Sequence, residues 1–267
     1  MGGEPETGMV KPGAIITITL ACGAALLLGQ IRPAALPEAP DFRSAGWKPL
    51  LNDKDLSGWR IVANRPAAAA PVTEWFKTSA VALSTESPAA LSAVAAPGPI
   101  AVNGTKTRTS HLVTEEMFGD VELYIEWMVS KNSNSGVYLH GLYEVQILDS
   151  FGKDNVGSGD AGGIYERWAN NQGYEGSAPS LNASRPPGEW QSFHIWFKAP
   201  RFADGKKVAN AEFVKVLHNG KLVQSGYQCS GPTRSALEIP EAPRNPLMLQ
   251  GDHGPVAYRN IYIRPLR

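Results

Sequence analysis

From Asp120 to Ser130 the chain reads DVELYIEWMVS, and its apolar residues recur at every second position. Side chains alternate across a pleated backbone, so Val121, Leu123, Ile125, Trp127 and Val129 share one face of an expected strand. Glu122, Tyr124, Glu126 and Met128 take the other. WQSFHIWFK, Trp190 to Lys198, alternates in the same way through Phe193, Ile195 and Phe197. Two more strands are expected over Pro246–Gln250 and Val256–Arg264. Ala211 to Ser225 is expected to fold back at His218-Asn219-Gly220-Lys221, because Asn-Gly supplies the two positive-φ residues of a type I′ turn. No segment beyond the N-terminus carries the period of a long amphipathic helix. The 27 glycines and 21 prolines among 267 residues favour frequent turns instead. The pattern predicts one all-β domain, a sandwich or jelly roll. The low-complexity run Ala67–Ala70 and the weakly periodic Ser79–Thr109 interrupt it, the latter as opening strands plus a long surface loop.

Composition narrows the function. There are 25 basic and 25 acidic residues, for a formal net charge of zero. That balance, with no basic stripe, argues against a nucleic-acid partner. Two cysteines, Cys22 and Cys229, make no disulfide framework and rule out a clustered-thiolate metal site. Ala14 to Leu28, AIITITLACGAALLL, is uncharged and follows Lys11, which is the layout of a signal peptide. It is short for a membrane span, which needs about 20 apolar residues. Residues 1–32 are therefore expected to be a signal peptide or an N-terminal anchor, the only part of the chain with a reason to meet a membrane. Cleavage near Ala34-Ala35 and lipidation at Cys22 are the alternatives. Residues 33–45, with PAALPEAP inside them, read as a proline-stiffened linker. The expected destination is the periplasm or cell envelope.

Several long motifs then occur in a familiar order. LNDKDLSGW (Leu51 to Trp59), NSGVYLHGLYEVQILDS (Asn134 to Ser150), NASRPPGEWQSFHIWFKAPRF, VLHNGKLVQ, GPT and LQGDHGPVAYRNIYIRPL follow one another. Together they resemble the bacterial 3-keto-disaccharide hydrolase domain family, across about Gly46 to Arg267. The resemblance implies a concanavalin A-like jelly roll of two antiparallel sheets over 46–267, related to lectins and laminarinase-type glucanases. It also implies action on 3-keto-glycosides, as lyase, hydratase or net hydrolase. The chain departs from the family at Ala161-Gly162-Gly163-Ile164-Tyr165, where a cysteine is frequent in the first place.

The polar residues of the central hairpin carry the site hypothesis. Alternation puts Glu144 and Gln146 on one face, and a β-bulge would bring Asp149 round to join them. The related glucanases are similar here, with two catalytic carboxylates on one strand. A retaining glycosidase needs its carboxyls about 5–5.5 Å apart. Five residues of plain strand span roughly 16 Å, so that chemistry does not transfer directly. A 3-keto sugar asks for less. The ketone acidifies the C2 proton, a base removes it, the C1 group leaves, and water adds back at C1.

Glu144 is the candidate base and His253, in the turn QGDHGPV, the candidate acid. Gln146, Asp149, His140 at the hairpin tip, and Arg185 in NASRPPGEW are candidate substrate ligands, Arg185 also for the enolate. Four have a plainer structural reading: Glu144 as a salt-bridged strand residue, His253 as a turn histidine, His140 as a solvated tip, Arg185 in an ion pair with Glu189 or a nearby acid. His194 and His218 read as structural. No cofactor is expected, and calcium at Asp53 and Asp55 is the one metal chemistry the chain offers. The expected partner is a small-molecule or oligosaccharide substrate. A non-catalytic carbohydrate-binding module or an envelope interaction module of the same fold are the alternatives.

Overall fold

The computed structural model describes residues 1–3, 35–63, 75–105 and 109–266. The targeting segment, Cys22 and the Ala67–Ala70 run fall outside them. Among the described residues there is no helix, and none therefore long and apolar enough to cross a membrane.

Two antiparallel sheets form the body. The larger has eight strands. Its path runs from β17 (Lys221–Cys229) through β16 (Ala211–His218), β13 (Gln191–Lys198) and β8 (Val121–Val129) to β19 (Val256–Pro265). It then ends with β6 (Ile100–Val102) and β3 (Phe76–Thr78), while β1 (Lys48–Pro49) pairs with β19. The smaller sheet orders β10 (Tyr143–Leu148), β9 (Asn134–Leu139), β18 (Asn245–Leu249), β7 (His111–Phe118) and β2 (Trp59–Val62). Three two-stranded ribbons stand apart: β4–β5 (Val81–Leu83, Leu91–Ala93), β11–β12 (Arg167–Ala169, Gln172–Tyr174) and β14–β15 (Arg201–Ala203, Lys206–Ala209). This is the all-β jelly-roll sandwich expected from the alternating strands.

One hydrophobic core lies between the sheets. Leu123, Ile125, Trp127, Phe193, Ile195 and Phe213 come from the large sheet, and Val137, Tyr143, Val145, Ile147 and Leu249 from the small one. Inner faces of two stacked sheets meet in this way because only one side of each need be apolar. The β16–β17 turn forms as the Asn-Gly pair requires. His218 pairs with Lys221, with Asn219 at φ 50° and Gly220 at φ 76°.

β8 departs from simple amphipathicity, since all nine of its residues are buried. Residues 36–47, which overlap the expected proline-stiffened linker 33–45, lie on its outer side. Phe42 stacks on Tyr262 at 3.8 Å, and the Leu36 N–H donates to Glu126 at 2.8 Å. Met128 is covered separately, in a small cluster with Leu91, Ile100 and Val102. These belong to β5 and β6, so 79–109 contributes strands and cover together.

Candidate functional site

The site is built on the outer face of the small sheet. β9 and β10 pair in unbroken register, Glu144 opposite Tyr138, Gln146 opposite Gly136 and Leu148 opposite Asn134. Tyr143, Val145 and Ile147 point into the core, so strict alternation turns Glu144 and Gln146 outward. They enter a cavity of about 160 Å3 whose walls also include Asn134, Tyr138, Tyr165, Arg234, Gln250 and His253. β10 is the end of its sheet, but its edge is covered. Ile164 bridges Val145, the Gln146 N–H donates to Gly163, and the Tyr165 N–H donates to the Glu144 carbonyl.

Gly136 makes room for the central carboxyl. A Cβ at this position would collide with Glu144 Oε1, so the carboxyl lies flat over the backbone of β9. Glu144 is 1% exposed, and its Oε2 has no hydrogen-bond partner in the protein. Burial pushes its pKa up to about 8, opposed by the Tyr138 hydroxyl beside it and reinforced by the charge of Asp252. Asn134 Oδ1 and Gln250 Oε1 are likewise buried without a partner. Three orphaned acceptor oxygens on one small cavity are a demand for hydroxyl or N–H donors, because buried acceptors are otherwise paired.

The other walls supply cation and acid. Arg234 brings the guanidinium. Its backbone is held at both ends: its N–H donates to the Glu166 carbonyl at 2.8 Å, and its carbonyl accepts the Tyr138 hydroxyl at 3.1 Å. Ser235, next in the chain and also on the cavity, has φ 61°, a conformation sustained only where surrounding structure enforces it. Burial and the neighbouring Glu144 charge raise the Tyr165 pKa, while Arg234 opposes them. His253 Nδ1 pairs with Asp252 Oδ1 at 2.7 Å, leaving Nε2 as the nitrogen that can meet a ligand.

Of the expected site residues, the structure brings Glu144, Gln146 and His253 together, and three fall elsewhere. No bulge reverses Asp149; its carboxylate accepts the Asn132 N–H at 2.9 Å and closes a turn. His140 is a buried residue at the hairpin tip. It packs against Phe197 at 5.2 Å, contacts the Gly119 carbonyl through Nε2, and burial lowers its pKa to about 4. Arg185 donates to the Trp190 carbonyl and to Glu38, so the acid it pairs with is Glu38.

Residues that sequence reasoning passed over are Asn134, Tyr138, Tyr165, Arg234 and Gln250. Asn134 and Tyr138 were within reach, since pairing across the His140-Gly141 turn places them on the face of Glu144. Asp55 closes its own loop on Asn52 and Ser57, which lowers its pKa to about 2. Among the described residues no group of three or more His, Cys, Asp or Glu is placed to hold a metal.

Residues 46–264 match the 3-keto-alpha-glucoside-1,2-lyase-like domain family. The chain belongs to that family. The membership makes it a carbohydrate-active protein. A crystal structure at 2.13 Å of a candidate glycosyl hydrolase from Parabacteroides distasonis is 27% identical. The match covers 83% of this chain and 84% of that one, with a TM-score of 0.57. A second candidate glycosyl hydrolase of that organism, at 1.70 Å, is 18% identical over 86% and 98% of the two chains, with a TM-score of 0.53. At that identity the likeness shows the fold alone. No curated protein matches the chain. In this lyase-like domain the orphaned acceptors suit a polyhydroxylated ligand, since every sugar hydroxyl can donate to one of them.

Proposed function

We propose that this domain cleaves 3-keto-glucosides by elimination followed by hydration, a net hydrolysis. Ionised Glu144 removes the C2 proton. The C–H electron pair moves into the C2–C3 bond and gives an enolate on the C3 oxygen. Arg234 faces that oxygen, with the Tyr165 hydroxyl as a further donor. Collapse of the enolate restores the ketone, forms a C1–C2 double bond and expels the C1 substituent, which takes a proton from His253. Water then adds at C1 and C2 regains a proton. The products are a free 3-keto sugar and the protonated leaving group, with no net oxidation.

The observation that carries this reading is Glu144 itself, a buried carboxyl with an unpartnered oxygen on the same cavity as Arg234 and His253. A carboxyl with a pKa near 8 is a much stronger base, once ionised, than one at the usual value near 4. Asp149 is committed to a turn, so the pair of carboxyls that a retaining glycosidase would draw from β10 is not formed. Asp252 offers a second reading. Its charge raises the Glu144 pKa, the arrangement by which a glycosidase keeps one carboxyl protonated as acid beside an ionised one.

The two readings separate in one experiment. Oxidised and unoxidised glucosides are assayed side by side in deuterated water, across pH. The elimination predicts turnover of the 3-keto substrate only, deuterium at C2, and kcat/KM rising with pH until about pH 8 as Glu144 ionises. Equal turnover of both substrates, with activity falling above about pH 8, would show Glu144 to be a glycosidase acid. Sugar binding without turnover of either would make the domain a binding module.

We also place the working protein outside the cytoplasm, on the strength of Lys11 and the uncharged Ala14–Leu28 run. Fractionation of the native host tests this, and full-length protein in the cytosol alone would refute it.

A further inference from the structure

The β11–β12 ribbon grows from the edge of the site sheet. Ile164 bridges Val145 on one side and Ser177 on the other, and the chain between them folds back at Asn170 and Asn171, at φ 52° and 59°. Trp168 sits on this ribbon and is 42% exposed, though burying an indole is normally favourable. One face of its ring lies against the Arg234 guanidinium, 3.7 Å from the ring centroid. Its cross-strand partner is Gly173, which has no side chain to cover the indole. A Cβ there would collide with the Glu166 carboxylate, so Glu166 lies on the Trp168 side of the ribbon. Strand alternation says the same of positions 166 and 168.

The result is a half-open aromatic plate, with the Arg234 guanidinium against one face and the Glu166 carboxylate on the same side of the ribbon, joined to the cavity through Arg234. A pyranose ring has the matching form. Its C–H-rich face rests on the negative face of an aromatic ring, and its edge hydroxyls both donate and accept. The cavity itself, at about 160 Å3, falls below the roughly 300–1,000 Å3 of sites for larger ligands, so it takes one ring at a time. We infer that Trp168, with Glu166 and Arg234, forms a second subsite that holds the sugar ring of the leaving group. This rests on the elimination proposed above, whose substrate then is a disaccharide.

The test compares Trp168→Ala, Trp168→Phe and the unaltered full chain on a 3-keto-disaccharide and on methyl 3-keto-glucoside. The alanine variant should raise KM for the disaccharide about tenfold and leave the methyl glucoside unchanged within about twofold, with phenylalanine restoring most of the difference. Equal losses on both substrates would show that Trp168 only holds Arg234 in place, and no loss on either would remove it from the site. With a flat aryl 3-keto-glucoside assayed alongside, a loss on that substrate and none on the disaccharide would overturn the assignment to a sugar ring. Should the unaltered chain turn over neither substrate, the reaction fails while the subsite remains testable by calorimetry with an unoxidised glucose disaccharide. Binding that the alanine variant loses would support the subsite, and equal or absent binding would overturn it.

Discussion

Glu144 folds at a cost that rises with pH. An isolated glutamate ionises near pH 4.3, and burial holds this one neutral to about pH 8. A raised acid pKa means that the folded chain binds the proton more tightly than the unfolded chain. The stability this represents is complete below about pH 4 and is lost as pH climbs towards 8. Glu144→Gln keeps the shape and removes the ionisation. It should lower turnover of the 3-keto substrate by about 10²–10⁴-fold, the usual worth of a general base. The same variant should be more stable than the parent at pH 8.5, by up to about 5 kcal/mol, with the advantage reduced to about 1 kcal/mol at pH 5. Thermal melts at the two pH values check this; a difference independent of pH would mean that Glu144 is not held neutral. Arg234→Lys keeps the charge and loses the planar fork. It should slow turnover at least tenfold, since the enolate develops away from the new ammonium; unchanged kcat would remove Arg234 from the chemistry.

At the scale of the element, the β9–β10 hairpin works because its register is regular. Tyr138, Gly136 and Asn134 stand opposite Glu144, Gln146 and Leu148, so one turn at His140-Gly141 sets the floor of the cavity. His140 serves that turn with its backbone, at φ 58°, while its ring fills the end of the core. Gly136→Ala should leave the fold intact and displace the Glu144 carboxyl. A misplacement of about 1 Å is enough to cost about 10²-fold in rate. Circular dichroism with a normal melt, together with a rate loss of that order, is the expected outcome. Full activity would show that the carboxyl need not lie over Gly136.

Across the whole molecule, residues 36–45 pack on the folded body. Glu126 is fully buried, and Arg259, Asn260, Tyr124 and the Leu36 N–H all reach its carboxyl oxygens. Glu38 similarly receives Arg185 and Ser192. A chain starting at Gly46 loses the Phe42 ring and three of these polar contacts. Full burial of such a ring contributes about 1.5–3 kcal/mol, and half-buried Phe42 together with the lost polar contacts falls in the same range. Urea unfolding should therefore find the shortened chain less stable than one starting at Arg32 by about that amount. Equal midpoints would make the segment a passive linker after all.

The alternation of DVELYIEWMVS and WQSFHIWFK, and the Asn-Gly of the β16–β17 turn, determined the sheets, because pleat and turn geometry act between neighbours in the chain. The motif order determined the family, and the polarity of Glu144 and Gln146 within an apolar strand marked the candidate site. Its other members lay beyond local reading. Arg234 and Tyr165 stand on irregular segments with no period to betray them, and they reach Glu144 only through contacts between residues far apart in sequence. Arg185 was a candidate ligand for sugar hydroxyls or an enolate, or a partner for a nearby acid; tertiary structure pairs it with Glu38 and brings Arg234 to the cavity. Asp149 could have joined Glu144 only through a bulge, and whether a strand bulges is decided by the partner it pairs with. The degree to which Glu144 is desolvated was likewise settled by packing, since burial depends on every element that surrounds the carboxyl.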